Sequence, residues 1–207
     1  FSWGLFDRHE LGQPGNLVTY AQSHDEERTM FKNLEYGNES GSYKVKDLAT
    51  ALKREEMAAA FLFGMPGPKM IWQFAELGYD VSINFNDRTG NKPIRWEYFN
   101  ESPRKALYQA YAKFISLKKN NVIFDAGKPT YNLAGAVKYL KLSDASNTVV
   151  IIGNFDVVNQ SASVDMGSAG TWYEAGITTP VTFANATYTK LLAPGEYHIF
   201  SKSALSN

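Results

Sequence analysis

Ser23, His24 and Asp25 are neighbours whose side chains could perform acid–base or electrostatic chemistry. Neighbours in sequence cannot form a catalytic triad by themselves, because their side chains point in different directions. Their position is more informative, since a short apolar run at residues 17–21, which we predict as a buried strand, ends just before them. Sites in α/β folds are built at the carboxyl ends of parallel strands. We therefore expect this cluster to lie in a site.

Glu76 occupies a second position of the same kind. It follows the apolar run of residues 70–74, which we predict as the next buried strand. Polar residues at the carboxyl ends of two consecutive strands support a site more strongly than either alone. Each has a structural alternative: Asp25, Glu26 and Glu27 could stabilise the first turn of a short helix. Glu76 could equally be a helix cap or a surface carboxylate.

Two helices are predicted around these segments. Apolar residues recur at helical spacing over residues 47–63, and Gly64 and Pro66 end the pattern. Residues 17–74 therefore form a strand, a helix and a strand, which favours a parallel strand pair and an α/β architecture. A second helix over residues 103–119 follows Ser102, a favourable N-cap residue.

The sequence changes character after residue 120. Helical periodicity stops, and short β-rich runs alternate with clusters of turn residues, which is typical of an antiparallel β-sandwich. We predict one unit over residues 1–120 and a second, all-β unit over residues 121–207. The predicted strands are residues 136–142, 148–155, 161–166, 171–174, 180–183, 188–192 and 197–201.

Composition excludes several classes of function. The 21 Lys and Arg residues balance the 21 Asp and Glu residues, so 21 − 21 leaves no net charge to attract nucleic acid. There is no cysteine for a disulfide, a thiolate metal site or a thiol nucleophile. No apolar run approaches the ~20 residues of a membrane span. The start at Phe1 does not resemble a signal peptide, and we expect that the chain was cut or processed from a longer one.

The remaining candidates for chemistry have structural explanations. The three histidines show no metal-ligand spacing, so we predict no metal site from them. Four aspartates of the all-β half lie where turns are expected, and aspartate is favoured there for local hydrogen bonds. The four tryptophans could stack on sugar rings, but aromatic residues dominate cores generally, and we expect most of them there. These residues are His9, His24 and His198; Asp125, Asp144, Asp156 and Asp165; Trp3, Trp72, Trp96 and Trp172.

Residues 18–25, Val-Thr-Tyr-Ala-Gln-Ser-His-Asp, resemble the last conserved block of the alpha-amylase family, glycoside hydrolase family thirteen. Ser23 stands where that block usually has Asn, and Ser-His-Asp-Glu resembles the branching-enzyme variant. Residues 66–78 resemble the family's final barrel strand and its Glu-containing turn. The resemblance extends to residue 201 and includes residues 92–96, 104–119, 151–155 and 192–200.

The resemblance implies the last strands and helices of a TIM (β/α)8 barrel followed by an antiparallel β-sandwich. It implies that Asp25 stabilises the oxocarbenium-like transition state of a retaining glycosidase and that His24 binds sugar hydroxyls. Ser23, Glu26 and Glu76 would lie at the edge of that site. The nucleophile and the acid/base would precede residue 17, and a whole barrel takes about 250 residues. We therefore expect the chain alone to be an inactive C-terminal fragment.

Two other functions stay open. One is a branching-type transglycosylase, which Ser23 and Glu26 favour slightly. The other is a non-catalytic carbohydrate-binding or structural module, in which Trp172 would stack on glycans or pack in the core. The expected partner is a starch-like alpha-glucan or a maltooligosaccharide. No cofactor is predicted for this chain, although the full-length enzyme could bind calcium, and the resemblance favours export over a cytoplasmic location. Unpaired barrel edges lead us to expect self-association through the first ~120 residues.

Overall fold

The computed structural model describes all residues from Phe1 to Asn207. Its two long helices confirm the helical predictions, whereas two shorter ones, α1 and α4, were not predicted. Apart from these α-helices, five short 3-10 helices occur at Ser2–Gly4, Phe6–His9, Pro14–Asn16, Ala75–Leu77 and Trp96–Asn100. The α-helices are α1 (Thr29–Tyr36), α2 (Leu48–Gly64), α3 (Ser102–Asn120) and α4 (Ile123–Ala126).

The predicted buried strands at residues 17–21 and 70–74 do not form, and that prediction is wrong. Only Thr19 and Lys69 pair, through one isolated parallel bridge. Its hydrogen bonds run from Thr19 N to the Pro68 oxygen and from Met70 N to the Thr19 oxygen, both at 3.0 Å. Pro68 has no N–H with which to extend the ladder, and Phe74 turns the chain with a left-handed φ of 56°. The parallel direction itself agrees with the strand–helix–strand prediction.

These two segments are also less buried than expected. Val18 is 55% exposed and Tyr20 is 44% exposed, while Thr19 between them is buried. Alternation of this kind is produced by a strand with one covered face. The segment before the candidate site therefore has one covered face, on which Thr19 Oγ1 donates to the Gly4 backbone oxygen at 3.0 Å, and one open face.

Ten short strands are present. A six-stranded antiparallel sheet has the order β3-β4-β5-β10-β7-β8, and β6 pairs with β9 in a separate two-stranded sheet. All seven predicted strands of the second half are confirmed, and β3 was missed. The strands are β1 (Glu39–Ser40), β2 (Tyr43–Lys44), β3 (Lys128–Asn132), β4 (Val137–Ser143), β5 (Thr148–Asn154), β6 (Gln160–Asp165), β7 (Gly170–Glu174), β8 (Val181–Phe183), β9 (Thr187–Leu192) and β10 (Tyr197–Ser201).

Two hydrophobic cores lie on opposite faces of the six-stranded sheet. One fills the space between that sheet and the β6–β9 pair, and it includes Trp172, which is fully buried. The larger core joins α2 and α3 to the other face, through residues such as Phe61 and Ile151. This core crosses the boundary proposed near residue 120, so the two units pack as one body. None of the helices is long and apolar enough to cross a membrane.

The expectation of buried tryptophans is correct for Trp172 and wrong for two others. Trp3 is 70% exposed and Trp96 is 73% exposed. Trp3 lies in a 3-10 helix with no buried residue, and it contacts His9 and Arg8 rather than the core. Composition does not reveal this, because the burial of an aromatic residue depends on which element carries it.

Candidate functional site

His24 and Asp25 lie side by side on an exposed loop between the Thr19 bridge and α1. His24 Nε2 and Asp25 Oδ2 are 3.4 Å apart, and the two side chains are 69% and 70% exposed. The His24 ring lies beside the Trp72 ring, with 5.5 Å between centroids. The structure thus brings together the predicted catalytic and substrate-binding side chains and leaves both accessible to a ligand.

Ser23 and Glu26 shape this loop. The buried Ser23 donates hydrogen bonds to Glu26 Oε2 from its hydroxyl and from its backbone N, the latter at 2.9 Å. The Ser23 hydroxyl also accepts from the Asp25 N at 3.2 Å. The hydroxyl bond, with help from the backbone, holds the pKa of Glu26 below its usual value. Both predicted edge residues therefore fold the loop, and nothing in their contacts points to a sugar.

Glu27 joins the loop to a second one. Its carboxylate accepts from the Ser82 hydroxyl at 2.7 Å, from Ile83 N at 2.8 Å and from Arg28 N at 2.9 Å. Burial favours the neutral form, but these three donors outweigh it and lower the pKa of Glu27. In addition to these hydrogen bonds of Glu27, the Arg88 guanidinium donates to the Asp25 backbone oxygen at 2.7 Å. The backbone that presents Asp25 is therefore held from both sides.

Arg28 holds the loop from its buried side. Its guanidinium is buried, donates to the Ser23 backbone oxygen and lies 5.9 Å from the Tyr79 ring centroid. Burial lowers the pKa of Arg28, because the charged form loses its water. An anchored guanidinium of this kind fixes the start of the loop, where Ser23 turns the chain toward His24.

Glu76 lies apart from the His24–Asp25 pair. It lines a small cavity of about 380 Å³ together with Trp72, Tyr108 and Tyr111. Burial raises the pKa of Glu76. Trp72 contacts the His24 ring and also lines this cavity, so the two positions share one tryptophan but no hydrogen bond.

The turn that follows Glu76 is held by Arg104 of α3. Arg104 Nη1 donates to the backbone oxygens of Leu77 and Gly78, and Nη2 pairs with Asp80 at 2.8 Å. Its guanidinium lies 3.8 Å from the Tyr98 ring centroid. This buried cation therefore fixes the loop after residue 74 against α3.

A cavity of about 640 Å³, larger than the one at Glu76, borders the segment that leads into the loop. It is lined by the exposed edge of residues 17–21, by α1 and α2, and by Tyr111. Most of its lining is apolar, and its polar groups include Thr29, Asn33 and Glu55. Neither His24 nor Asp25 lines it, so the cavity is not the candidate catalytic site.

The residues that hold the site were missed by sequence reasoning. Glu27 contacts Ser82 and Ile83 across 55 and 56 residues, and Arg88 reaches Asp25 across 63 residues. Pattern and periodicity report on neighbours, so no such signal could have found these pairs. No group of three or more His, Asp or Glu side chains is placed to hold a metal ion.

No protein-family model and no curated protein matches the sequence. The fold matches several solved structures. AmyP in complex with maltose shares 16% identity at a TM-score of 0.69, covering 90% of this chain and 41% of that one. An Anoxybacillus alpha-amylase shares 17% identity at a TM-score of 0.67, and the match covers 92% of this chain and 38% of that one. A gamma-CGTase from the alkalophilic Bacillus clarkii shares 16% identity at a TM-score of 0.67, and the match covers 95% of this chain and 28% of that one.

These structures define the class of the fold. The chain has the fold of a portion of alpha-amylase-type enzymes, which confirms at the level of fold the resemblance seen in the sequence. It spans less than half of the length of each of these three structures, in agreement with the expected C-terminal portion.

Proposed function

We propose that this chain is the C-terminal portion of a retaining glycoside hydrolase that acts on alpha-glucans, and that it contributes the transition-state-stabilising carboxylate Asp25. The supporting observation is the accessible His24–Asp25 pair at the end of the parallel-bridged segment, within a chain of alpha-amylase-type fold. Residues 1–120 would be the end of the barrel, and residues 121–207 would close the enzyme as a β-sandwich.

Asp25 would act through its charge. Cleavage of a glycosidic bond builds positive charge on the sugar ring, and a fixed carboxylate beside it lowers the barrier. Arg88 and the Ser23 hydroxyl hold the backbone of Asp25, and His24 Nε2 lies 3.4 Å from its carboxylate. His24 beside it can donate to ring hydroxyls, which orients the sugar over the carboxylate.

The same loop offers no second working carboxylate. A general acid needs a raised pKa, whereas those of Glu26 and Glu27 are lowered by the donors they already accept. Glu76 has a raised pKa but lines a cavity that includes neither His24 nor Asp25. We propose that the nucleophile and the acid/base come from polypeptide outside these 207 residues.

Neither alternative function gains support from the structure. Ser23 and Glu26 bind each other, so they do not favour branching over hydrolysis. Trp172 is buried, and its indole N donates to the Ser168 backbone oxygen at 3.2 Å, so it cannot stack on a glycan. Its burial agrees with a packing role for the β-sandwich. Self-association through unpaired barrel edges of the first ~120 residues stays a prediction.

The isolated chain tests the proposal in its simplest form. Soluble starch or maltooligosaccharides incubated with a high concentration of the 207-residue chain should give no new reducing ends. Wild-type chain and the Asp25→Asn variant should be indistinguishable in this assay. Turnover by the wild type that disappears in Asp25→Asn would show that the chain holds a complete catalytic set, and the fragment proposal would be abandoned.

A further inference from the structure

Glu55 is a buried carboxyl group that the proposed mechanism does not use. It lies on α2, is only 6% exposed, and faces α1 across the wall of the large cavity. Its Oε1 accepts a hydrogen bond from Asn33 Nδ2 at 2.7 Å. Its Oε2 lies 2.8 Å from Thr29 Oγ1. Burying a carboxyl group costs free energy unless each of its oxygens has a hydrogen-bond partner that suits its protonation state.

The hydrogen bonds around Thr29 have a fixed direction. The Gln22 side-chain oxygen accepts from the Thr29 backbone N at 2.9 Å, which sets the orientation of the amide because a backbone N–H can only donate. The same oxygen lies 3.0 Å from Thr29 Oγ1. Thr29 Oγ1 thus has acceptor oxygens on both sides, Gln22 Oε1 and Glu55 Oε2, and its hydroxyl has one proton.

A proton on Glu55 resolves this conflict. Glu55 Oε2–H then donates to Thr29 Oγ1, and the Thr29 hydroxyl donates to Gln22 Oε1. Oε1 of the neutral acid still accepts from Asn33, so both Glu55 oxygens, the Thr29 hydroxyl and the Gln22 amide oxygen each have a partner. With Glu55 ionised, one of the two short oxygen–oxygen contacts would lack a proton, which is unfavourable in a buried site.

We propose that Glu55 is a positioning residue that acts in its protonated form, as the donor of a relay from Glu55 through Thr29 to Gln22. Gln22 and Thr29 flank residues 23–28, so their hydrogen bonds close the base of the loop that presents Asp25. The relay ties this base to α2. Its importance for catalysis rests on the proposed function, whereas the relay itself does not.

The charged groups around Glu55 agree with this direction. Lys32 of α1 and Arg54 of α2 favour the ionised form, and the Tyr111 hydroxyl faces Glu55 from α3. Burial outweighs the two cations and the Thr29 hydrogen bond, and it raises the pKa of Glu55 from 4.5 to about 7. A raised folded-state pKa gives stability that is complete below pH 4.5 and is lost as the pH rises through about 7.

Glu55→Gln provides the matched variant, because its amide can donate to Thr29 and accept from Asn33 in the same directions at every pH. Urea unfolding of wild type and Glu55→Gln should be measured between pH 5 and pH 8. The ratio of their unfolding constants should change on the order of a hundredfold across this range. Groups common to both proteins, such as Lys69 and the histidines, cancel in this ratio. Glu35→Gln, the same change at an exposed position of α1, should follow the wild type.

Two measurements need no substrate and separate this inference from the proposed function. The ¹³C carboxyl resonance of Glu55 in the wild type should titrate with a midpoint near 7 rather than 4.5. Amide hydrogen exchange of residues 23–28, corrected for the intrinsic rate, should be faster at pH 8 in the wild type than in Glu55→Gln. A midpoint near 4.5, a constant ratio of unfolding constants, or equal exchange in both proteins would overturn the relay. If only the proposed activity on alpha-glucans proved wrong, the ratio of unfolding constants, the Glu55 midpoint and the amide exchange would all stay as predicted.

Discussion

Asp25→Asn should lower kcat/KM for maltooligosaccharides by about a thousandfold in a polypeptide that joins this chain to the barrel strands that we propose precede it. The amide keeps the size of the side chain but removes the negative charge beside the developing oxocarbenium ion. The loop should keep its shape, because Arg88 and Ser23 bind the backbone of Asp25 and not its carboxylate. We expect kcat to fall far more than KM rises, since the lost interaction strengthens in the transition state.

Asp47→Asn is the matched control for this prediction. Asp47 is an exposed residue at the start of α2 whose side chain makes no capping hydrogen bond. The same loss of one charge there should leave kcat/KM unchanged. The initial rate of reducing-end release at several substrate concentrations gives both constants. An Asp25→Asn enzyme with at least a tenth of the wild-type kcat would exclude Asp25 from the transition-state role.

Arg104→Ala should lower the free energy of unfolding by about 3–5 kcal/mol. Arg104 is buried, and its removal leaves Asp80, whose side chain is only 20% exposed, without its cation. The backbone oxygens of Leu77 and Gly78 lose their donor at the same time. Unpaired buried acceptors add to this cost, because they no longer reach water.

Urea denaturation followed by tryptophan fluorescence measures this loss. Gln109→Ala on the exposed side of the same helix is the control, and it should change the free energy of unfolding by less than about 0.5 kcal/mol. A loss below about 1 kcal/mol for Arg104→Ala would mean that the turn after Glu76 does not depend on α3. In that case the contacts of Arg104 would not explain why Glu76 lies apart from His24 and Asp25.

The elements that could be predicted are those with a clear period. Helix α3 buries one face, and α2 has apolar residues at helical spacing although its last turns are buried on all sides. Strands β4 to β10 lie between clusters of turn residues, so local sequence was sufficient. Helix α1 was missed because only Met30 of its eight residues is buried, which leaves almost no apolar stripe. Strand β3 was missed because it is a short edge strand with Pro129 inside it, a position where proline is tolerated but weakens the signal.

The predicted strands at residues 17–21 and 70–74 failed for a different reason. Their composition is that of buried strands, but a strand also needs hydrogen-bonded neighbours, and here only Thr19 and Lys69 pair. Sequence composition shows that the side chains suit a buried strand. It does not show whether a neighbouring strand is present to form the hydrogen bonds.

The candidate site was predictable only in part. His24 and Asp25 were found from their position after an apolar run and from the resemblance of residues 18–25 to a family block. Glu27 and Arg88 were not found, because their partners lie more than 50 residues away along the chain. The direction of the relay from Glu55 required atomic positions, since it depends on the Gln22 amide oxygen accepting from both Thr29 N and Thr29 Oγ1.

Mass spectrometry of a trapped glycosyl-enzyme tests most directly whether this chain supplies the stabilising carboxylate and not the nucleophile. The completed polypeptide would be treated with a fluorinated maltosyl fluoride, which slows hydrolysis of the covalent intermediate, and then digested and sequenced. We predict that the sugar is attached to a peptide outside Phe1–Asn207, and that every peptide of this chain, including the one with Asp25, keeps its unmodified mass. A glycosyl group on Asp25, or on any other carboxylate of these 207 residues, would contradict the account.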